Sequence, residues 1–580
     1  MKWQRWHAVA AAAALAAVGL VSFAKWDGSA PAADAGAVAE PPVRAPDGLL
    51  ADVYVTSPNA SWTRLQRGVG GAVGILPGTL PGVFVALTEL DVMFVDEIDG
   101  ASPMFGALAG DPESPGAAFA MKLVDARRAR LLLADGDTSR YATKEADGMT
   151  LLVPTKQDPS DRRLELAITR SGYLLVARAA ADLERLGPYV TRTLPARPLP
   201  TDAAVTVDVP KSALQAVIKP RLESLWGDGK SFLLTQDEQM RAARGRAPDF
   251  GDPIAIVGVL DAILGRRVAI VGDLEKLRLS LEITDEAAVL TAALSPLGPD
   301  GPARRWVDGM KLGDAAPVLA LPTVSALAVS LRDGEVDRAE QGKELEKAIA
   351  TSLGARLKDP EKLHEVIEAM TQARGESVAL ALGLDEPTGL FLRSPVRDPA
   401  SADKAIRGAF DLTKAEPFKE LLGVRDVVAS SDELPGLGKI AVTTALRVSK
   451  DAKREASPRV ADGGAPVAKA LPRAAGAAWV VEEGALSLGA GGEPLVTLKT
   501  GVRPDRKLAD EPSLARFTAA VASDASTVIV AQPLRLDARR ANLPTAPLAI
   551  AVGRKGGDAF VRIDIADGLL REAARWQMGF

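Results

Sequence analysis

Two short stretches combine residue types that act together in nucleophilic catalysis. Ser401-Ala-Asp-Lys404 places a hydroxyl and an amine three positions apart, and Lys499-Thr-Gly501 follows later in the chain. An enzyme built on such residues would use serine as the nucleophile and lysine as its partner, with no need for cysteine or histidine. These positions are therefore the first candidates for a catalytic site.

Together the two stretches resemble the motifs of the penicillin-binding and β-lactamase families, in which Ser-x-x-Lys opens a helix and Lys-Thr-Gly lies on a strand. Both local contexts here are compatible with that arrangement. The third element of those families, Ser-x-Asn, is missing between residues 404 and 499. Ser401 and Asp403 are also favourable residues for the first turn of any helix. We therefore assign no catalytic residue.

Two glycine-rich stretches are candidates for nucleotide-binding sites. Trp226-Gly-Asp-Gly-Lys-Ser231 contains Gly-Lys-Ser, but Ser224 stands where a phosphate-binding loop needs its first glycine. We interpret it as a polar turn. Leu488-Gly-Ala-Gly-Gly492 follows a strand, and we expect a turn and then another strand, whereas a dinucleotide fingerprint needs a helix there. No cofactor and no cofactor-binding residue is assigned.

The sequence signals for a metal site are as weak as those for a nucleotide site. His364-Glu365 begins like the zinc motif His-Glu-x-x-His, but residue 368 is glutamate, and the second histidine of the chain is His7. We expect His364 to face solvent from a helix. Four acidic residues offer oxygen ligands for Ca²⁺, but their spacing matches no known loop, and we expect them to face water: Asp91, Asp96, Glu97 and Asp99. No metal ligand is assigned.

Composition narrows the class of protein. The chain has 580 residues, 47% hydrophobic and 25% charged, which is typical of a globular protein of two to four domains. It contains no cysteine, which excludes disulfides and thiolate chemistry. Its net charge of −5 offers no basic field for phosphate backbones, so we expect no nucleic-acid partner.

Residues 1–26 contain an uncharged apolar run, Ala8–Ala24, which is preceded by the basic residues Lys2 and Arg5. The small residues Ser22 and Ala24 favour a cleaved signal peptide. Trp3, Trp6 and Trp26 bracket the run like interfacial aromatic residues and favour a retained membrane anchor, a transmembrane helix with the rest of the chain outside. Either interpretation places the body in the cell envelope, periplasmic or otherwise extracytoplasmic. If the leader is retained, the body is anchored in the inner membrane.

The sequence that follows the leader predicts an α+β fold. Residues 27–48 are rich in Ala, Pro and Gly and read as a flexible linker. Alternation at Leu164–Ile168, Leu277–Ile283 and Ala477–Val481 predicts strands with one buried face, each followed by a turn and a second strand. We expect antiparallel sheets with helices packed on one face. Helical spacing predicts helices at four places: Pro210–Trp226 with a kink at Pro220, Gly334–Leu353, Asp359–Arg374 and Asp567–Met578.

The order of features also predicts two duplicated α+β halves, 49–312 and 313–580, the second with a long loop at about 450–475. In one of the matches, Asp125 and its counterpart Asp398 are each placed to cap a helix. The matched segments are Ala51–Ser57 with Ser325–Leu331, Phe119–Asp125 with Phe391–Asp398, Val205–Pro210 with Val528–Pro533, and Val268–Ile283 with Leu548–Ile565.

This layout of leader, Ala/Pro linker and tandem α+β units resembles bacterial cell-envelope proteins classed as domains of unknown function. The resemblance implies no activity. The leading hypothesis is an exported, membrane-tethered envelope protein with a non-catalytic binding or structural role, whose partners are the membrane, reached through the N-terminal helix, and an envelope protein or lipid. The alternatives are a carrier that encloses an apolar ligand such as lipid between its halves, and a hydrolase using carboxylates or Ser/Lys.

Overall fold

The fold is known from a computed structural model. It describes residues 40–69, 76–88, 90–135, 141–155, 164–200, 203–244, 253–284, 286–354, 357–383, 389–415, 424–434, 438–447, 474–482, 484–536 and 545–577. The leader 1–26, the linker up to residue 39 and nearly all of the expected loop at 450–475 lie outside these ranges. Over the described ranges, no helix is both long enough and apolar enough to cross a membrane.

The described strands are numbered in chain order. They are β1 (Leu49–Val55), β2 (Met104–Ala109), β3 (Gly116–Lys122), β4 (Tyr141–Ala146), β5 (Met149–Pro154), β6 (Glu165–Thr169), β7 (Tyr173–Ala177), β8 (Val205–Pro210), β9 (Leu274–Ile283), β10 (Ala287–Pro296), β11 (Ser325–Arg332), β12 (Ser377–Gly383), β13 (Gly389–Pro395), β14 (Val424–Leu434), β15 (Gly438–Arg447), β16 (Ala474–Glu482), β17 (Ala485–Gly491), β18 (Ala525–Ala531), β19 (Leu548–Lys555) and β20 (Asp558–Ala566).

The described α-helices are numbered in the same way. They are α1 (Pro58–Val69), α2 (Leu80–Thr88), α3 (Ala126–Arg130), α4 (Ala180–Pro188), α5 (Lys211–Ala213), α6 (Lys219–Arg244), α7 (Pro253–Gly272), α8 (Pro302–Asp308), α9 (Ala316–Leu319), α10 (Glu335–Leu353), α11 (Pro360–Ala373), α12 (Pro399–Leu412), α13 (Pro494–Val502), α14 (Ala515–Val521) and α15 (Asp567–Gln577).

Two compact units are present, and neither is one continuous stretch of chain. Unit 1 comprises residues 1–221, 271–304 and 558–580, and unit 2 comprises 222–270 and 305–557. Relative to the expected halves 49–312 and 313–580, each unit therefore takes a segment from the other half. The reason for the C-terminal exchange is strand pairing, because β20 pairs along its length with β10 of unit 1.

The sheet of unit 1 is antiparallel, with the strand order β4-β5-β6-β7-β3-β2-β1-β8-β9-β10-β20. The sheet of unit 2 is also antiparallel, with the order β14-β15-β16-β17-β13-β12-β11-β18-β19. The first nine strands of unit 1 thus follow the same pairing order as those of unit 2. The α+β class is confirmed.

A β-bulge at the same place in each sheet shows which residues of the two sheets correspond. The register slips between Leu49 and Ala51 opposite β2, and between Ser325 and Leu327 opposite β12. Superposing these bulges places Ala51 at Leu327, two residues from the match expected from sequence. The expected match of Val268–Gly272 with a strand is wrong, because this segment ends helix α7, and β9 and β10 hold the positions of β19 and β20. The apolar run from Pro253 continues as one helix up to Gly272.

Unit 1 has helices on both faces of its sheet, whereas we expected them on one. Trp62 of α1 and Phe84 of α2 pack with Val53 and Val55 of β1 in one core cluster. Leu183 and Leu186 of α4 pack in a second cluster with Tyr54 of the same strand. Because successive side chains of β1 point to opposite faces, helices pack on both faces of this strand.

The four expected helices are present. Pro220 lies in the first turn of α6, directly after a π-helical turn at Leu214–Ile218, so the irregularity falls before the proline. In the helix expected at Asp359–Arg374, the spacing of Leu363, Val366, Ile367 and Met370 predicts one apolar stripe. The first three are buried in α11, but Met370 is 47% exposed. Asp125 and Asp398 both cap helices, each accepting two backbone N–H bonds, as the sequence predicted.

Candidate functional site: a polar cluster on the sheet of unit 1

The most unusual feature of unit 1 is a group of charged side chains on one face of three neighbouring strands. Strand register places Asp52 of β1 directly opposite Asp208 of β8, and Asp208 opposite Arg278 of β9. We call the polar cluster the set of side chains that lie on this face or bond to it: Asp52, Tyr54, Tyr189, Arg197, Asp208, Lys276 and Arg278.

Asp52 is almost fully buried, with 5% of its surface exposed. Its Oδ2 atom accepts hydrogen bonds from the Tyr189 hydroxyl at 3.0 Å and from Arg197 Nη1 at 2.8 Å. The Arg197 guanidinium also lies over the Tyr189 ring, 5.5 Å from its centroid. The other carboxylate oxygen, Oδ1, is buried with no hydrogen-bond partner in the structure. Half of this carboxylate is therefore unsatisfied.

Asp208 is fully satisfied. Arg278 donates to it through two parallel bonds, Nε to Oδ1 at 2.7 Å and Nη2 to Oδ2 at 2.9 Å. Lys276 Nζ lies 2.7 Å from Oδ2. A bidentate Arg–carboxylate pair fixes the guanidinium plane as well as its position. The Asp208 side chain is 13% exposed, while Arg278 and Lys276 are 40% and 36% exposed.

These environments shift the pKa values of the Asp52 and Asp208 carboxyl groups in opposite directions. Burial raises the pKa of Asp52 above its usual range, and the charge of Arg197 with its hydrogen bond only partly opposes this. Burial would also raise the pKa of Asp208, but hydrogen bonds from Arg278 and Lys276 outweigh it, so that pKa is lowered. Burial next to Asp52 raises the pKa of the Tyr189 hydroxyl, which therefore stays a hydrogen-bond donor.

At the corresponding strand positions that the structure describes, unit 2 carries no counterpart of this cluster. With the bulges superposed, the row Asp52–Asp208–Arg278 corresponds to Ala328–Val530–Ala549. Each of these three is at most 1% exposed, so in unit 2 the same face is a packed apolar core. Helix α9 packs against β11 and β18 there. One strand pattern thus carries a closed apolar face in unit 2 and a partly open, charged face in unit 1.

The charged side chains of the polar cluster are held in set orientations by their hydrogen bonds and ion pairs. Two carboxylates lie beneath three cations, and the cations reach solvent with preset orientations. Asp208 is engaged through both of its oxygens by two of these cations, Arg278 and Lys276. Arginine and tyrosine in fixed positions are the residue types that contribute most at protein interfaces. Thr206, beside Tyr54 in the register, adds a second buried oxygen without a hydrogen-bond partner, its Oγ1.

Sequence reasoning missed the polar cluster. Asp52, Asp208 and Arg278 each stand in an alternating strand, where a polar residue reads as solvent-facing. The available signal was the isolated aspartate inside two apolar strands, Ala51-Asp-Val and Val207-Asp-Val. Only the register of β1, β8 and β9 shows that these residues are neighbours. Arg197 comes from a loop outside the sheet.

The structure places both stretches of the candidate catalytic motif in helices, Ser401–Lys404 in α12 and Lys499–Gly501 in α13. The Ser401 hydroxyl donates to Asp398, the N-cap of α12, at 2.5 Å, which is the first-turn role that the sequence allowed. Lys499-Thr-Gly501 lies in helix α13, so its expected position on a strand is wrong. Pro494 begins that helix, and Gly501 lets it approach Phe391 closely. The penicillin-binding arrangement of a strand beside the serine is therefore absent from these two segments.

The structure contradicts the expected conformations of both glycine-rich stretches. Trp226–Ser231 lies within the long helix α6 and is not a turn. Gly489 and Gly491 belong to strand β17, and helix α13, not a strand, begins at Pro494. Gly489 is needed for packing, because a Cβ there would lie 2.4 Å from the backbone nitrogen of Leu498.

The acidic residues near Asp91 do not all face water as expected. Glu97 is buried and pairs with Arg128 at 2.9 Å. Burial raises the pKa of Glu97, and Arg128 opposes the shift. Asp91 caps a 3₁₀ helix through the N–H of Met93, and Asp99 accepts from Ser102 Oγ at 2.6 Å. Across the described ranges, no group of three or more acidic or histidine side chains is arranged to hold a metal ion.

His364 lies on the surface of α11 as expected, with its side chain 59% exposed. Its Nδ1 atom lies 2.9 Å from Glu346 Oε2 on α10. This hydrogen bond and the charge of Glu346 raise the pKa of the imidazole. The histidine therefore joins two helices of unit 2.

Unit 2 contains a shallow depression between α13 and strands β12 and β13, with Phe391 and Thr497 in its lining. Its volume is about 110 Å³. Sites for drug-sized ligands usually measure roughly 300–1,000 Å³. The depression is therefore small for a lipid ligand.

The fold and the polar cluster together define a two-unit α+β protein that presents a charged sheet surface on one unit. No family model matches this chain, and no curated protein matches it. Solved structures of TP0453 in crystal forms III and I are similar to 44% of this chain, at 7% and 10% identity, and cover 96% and 95% of their own chains. Their TM-scores are 0.20 and 0.19, values that do not establish a shared fold.

Proposed function

We propose that this protein is an exported cell-envelope protein, tethered to the inner membrane by its N-terminal helix, that binds another envelope protein without catalysing a reaction. The polar cluster of unit 1 is the binding surface. The observation that supports this most directly is that Arg197, Arg278 and Lys276 reach solvent while carboxylates beneath them fix their positions.

Preset cations favour binding because little side-chain freedom remains to be lost when a partner arrives. Arg278 is held by two bonds and Arg197 by a carboxylate and an aromatic ring. A partner with carboxylates at matching positions would complete the hydrogen bonding of the guanidinium groups. A donor from the partner, or an ordered water, would satisfy Asp52 Oδ1.

The shared pairing order supports an internal repeat in which the units diverged. On this view unit 2 kept the apolar face as a core, and unit 1 replaced it with charge. The row Ala328–Val530–Ala549 shows what the strand pattern accommodates when it only has to pack. Replacing such a row by Asp52–Asp208–Arg278 costs packing energy and is explained by a requirement for recognition.

Because the chain has no native cysteine, single cysteines provide a direct test. Ser295 of β10 pairs with Lys276 on the same face, and Thr143 lies exposed on β4 at the far edge of the sheet. A photoactivatable cross-linker on Ser295→Cys in the full chain should give a discrete adduct in cells, and the same linker on Thr143→Cys should not. Arg278→Glu should abolish the adduct.

Equal cross-linking at both positions, or none at Ser295, would exclude the polar cluster as the binding surface. The membrane tether is tested separately by alkaline extraction of the envelope fraction and by sequencing the mature N-terminus. We expect the protein to stay in the membrane pellet with its leader intact. A mature N-terminus at Lys25 would exclude the tether and leave an exported soluble protein.

A further inference from the structure

Unit 2 contains a buried group of two arginines and one aspartate beyond the end of strand β11. Asp333 directly follows β11, Arg338 is the fourth residue of α10, and Arg374 follows the last residue of α11. We call these three residues the buried arginine group. Asp333 and Arg338 are 8% and 4% exposed, whereas the Arg374 side chain is 35% exposed. The group therefore lies inside unit 2 and reaches solvent through Arg374.

The two guanidinium groups share one carboxylate. Arg374 Nη2 is paired with Asp333 Oδ2, and Arg338 Nη1 lies 3.5 Å from Asp333 Oδ1. Arg338 Nη1 also donates to the backbone carbonyl oxygen of Asp333 at 2.8 Å. Both arginines are thus held against the same acidic residue, and the three side chains carry one positive charge in excess.

Hydrogen-bonding capacity is left unused on each member of the group. Arg338 Nη2, Arg374 Nε and Asp333 Oδ1 are buried and have no hydrogen-bond partner among the residues that the structure describes. Buried donors of a charged group are costly to leave without partners. Burial also lowers the pKa of Arg374, the direction expected for a cation that is removed from water. A negatively charged hydrogen-bond acceptor would remove both costs.

The corresponding position of unit 1 shows what packing alone requires there. The superposed bulges that place Ala51 at Leu327 place Trp62 of α1 at Arg338. Trp62 is fully buried and belongs to an apolar core cluster. An apolar side chain therefore satisfies this place in the fold, and the buried charge of Arg338 needs a different explanation.

We propose that the buried arginine group is a binding site for a small oxyanion of the phosphate or carboxylate class. Guanidinium groups hold such ligands well, because the oxygens of the anion accept several charge-assisted hydrogen bonds at once. Arg338 Nη2 and Arg374 Nε donate to the anion, whose charge offsets the excess positive charge. Asp333 keeps the two guanidinium groups in position. This site is separate from the polar cluster of unit 1 and does not depend on the proposed function.

Calorimetric titration of the full chain in a non-ionic detergent, at constant ionic strength in chloride buffer, tests the proposal. Sodium phosphate and sodium acetate are the two probes, and saturable heat from one of them is expected. The probe that binds more tightly identifies the class of anion. Arg374→Gln should weaken this binding about tenfold or more, because it removes a charged donor from the site. Absence of saturable heat from both probes would overturn the proposal and would leave ordered water as the partner of these nitrogen atoms.

Arg407→Gln is the matched control in the same unit. Arg407 is also an arginine paired with one carboxylate, that of Asp403 at 2.6 Å, but it lies on the surface of α12. This variant should bind the anion as tightly as the wild type. An equal loss of affinity in Arg407→Gln and Arg374→Gln would contradict a specific site.

A second variant keeps the proposal testable if Arg374→Gln does not fold. Arg338→Met places an apolar side chain of similar length where unit 1 has tryptophan, and it leaves Asp333 paired with Arg374. In anion-free buffer its urea midpoint should be no lower than that of the wild type, and the anion should no longer raise it. Unchanged anion binding in Arg338→Met, with a native circular dichroism spectrum, would place the anion elsewhere on the chain and would overturn the proposal.

Discussion

Asp52 and Asp208 lie directly opposite each other on β1 and β8, yet their pKa values are displaced in opposite directions. Burial dominates at Asp52, where one oxygen has no hydrogen-bond partner. At Asp208, hydrogen bonds from Arg278 and Lys276 outweigh burial. The difference arises from which strand neighbours each carboxylate has, because Asp208 faces β9 and Asp52 does not.

The first prediction concerns pH and Asp52. A carboxyl whose pKa is raised on folding binds its proton more tightly in the native state, so its contribution to stability is full below the ordinary value of 3.8 and is lost as pH rises through the folded value. Asp52→Asn should therefore gain stability relative to the wild type as pH rises from about 4 to 7, a direction that follows from this linkage. Urea midpoints across that range measure it.

Asp208→Asn is the matched control for this measurement. The pKa of Asp208 is lowered, so its stabilising contribution is present above the ordinary value and is lost as pH falls through the folded one. This variant should lose stability relative to the wild type near neutral pH, and the loss should shrink in acid. If the two variants showed the same dependence on pH, the opposite displacements would be wrong.

The second prediction concerns the ion pair in the polar cluster. Arg278→Ala should lower the free energy of unfolding by about 1–3 kcal/mol, because it leaves Asp208, whose side chain is only 13% exposed, with fewer hydrogen-bond donors. Adding Asp208→Val gives unit 1 the pair that unit 2 carries as Val530 and Ala549. The double variant should recover part of the loss, since no carboxylate is left there without its guanidinium partner and the remaining cation, Lys276, is 36% exposed to solvent.

A double-mutant cycle of chemical unfolding measures this coupling. Additive losses in the double variant would show that the two side chains stabilise unit 1 independently of each other, and would contradict the bidentate geometry.

The third prediction concerns the two helix caps found at corresponding places in the units. Asp125 and Asp398 each accept two backbone N–H bonds at the start of α3 and α12. Replacing either by alanine should cost about 1 kcal/mol of unfolding free energy. Glu365→Ala, at an exposed position within α11, should change it by less than about 0.5 kcal/mol. A cap variant that matched the Glu365 control would argue against the capping bonds.

The fourth prediction concerns two glycines in different surroundings. A Cβ on Gly489 would lie 2.4 Å from Leu498 N and 2.6 Å from Pro494 O, both backbone atoms of α13. Gly489→Ala should therefore destabilise unit 2 by about 1–3 kcal/mol, because helix and strand must separate. Gly227 of α6 has no atom within 4 Å of such a Cβ, and Gly227→Ala should stabilise the helix by up to about 1 kcal/mol. Thermal unfolding of both variants should show shifts of opposite sign.

Much of the secondary structure could be predicted from sequence. The alternation at Leu277–Ile283 predicted strand β9, and the spacing of Leu363, Val366 and Ile367 predicted the buried face of α11. Asp398 was predicted as a helix cap and is one. These are local signals, since period and cap chemistry are set within one element. Trp226–Ser231 was misread because Gly-Asp-Gly is a turn signal by composition, while packing of Trp226 and Lys230 against Asp261 keeps the segment helical.

The sequence by itself determined the class of the fold, the positions of most strands and the absence of thiol chemistry. Only the tertiary structure decided that Asp52, Asp208 and Arg278 form one row, that helices cover both faces of unit 1, and that β20 returns to β10. The physical reason is that side-chain period assigns a residue to a face but not to a neighbour. Neighbours are set by strand register, which joins residues more than two hundred positions apart.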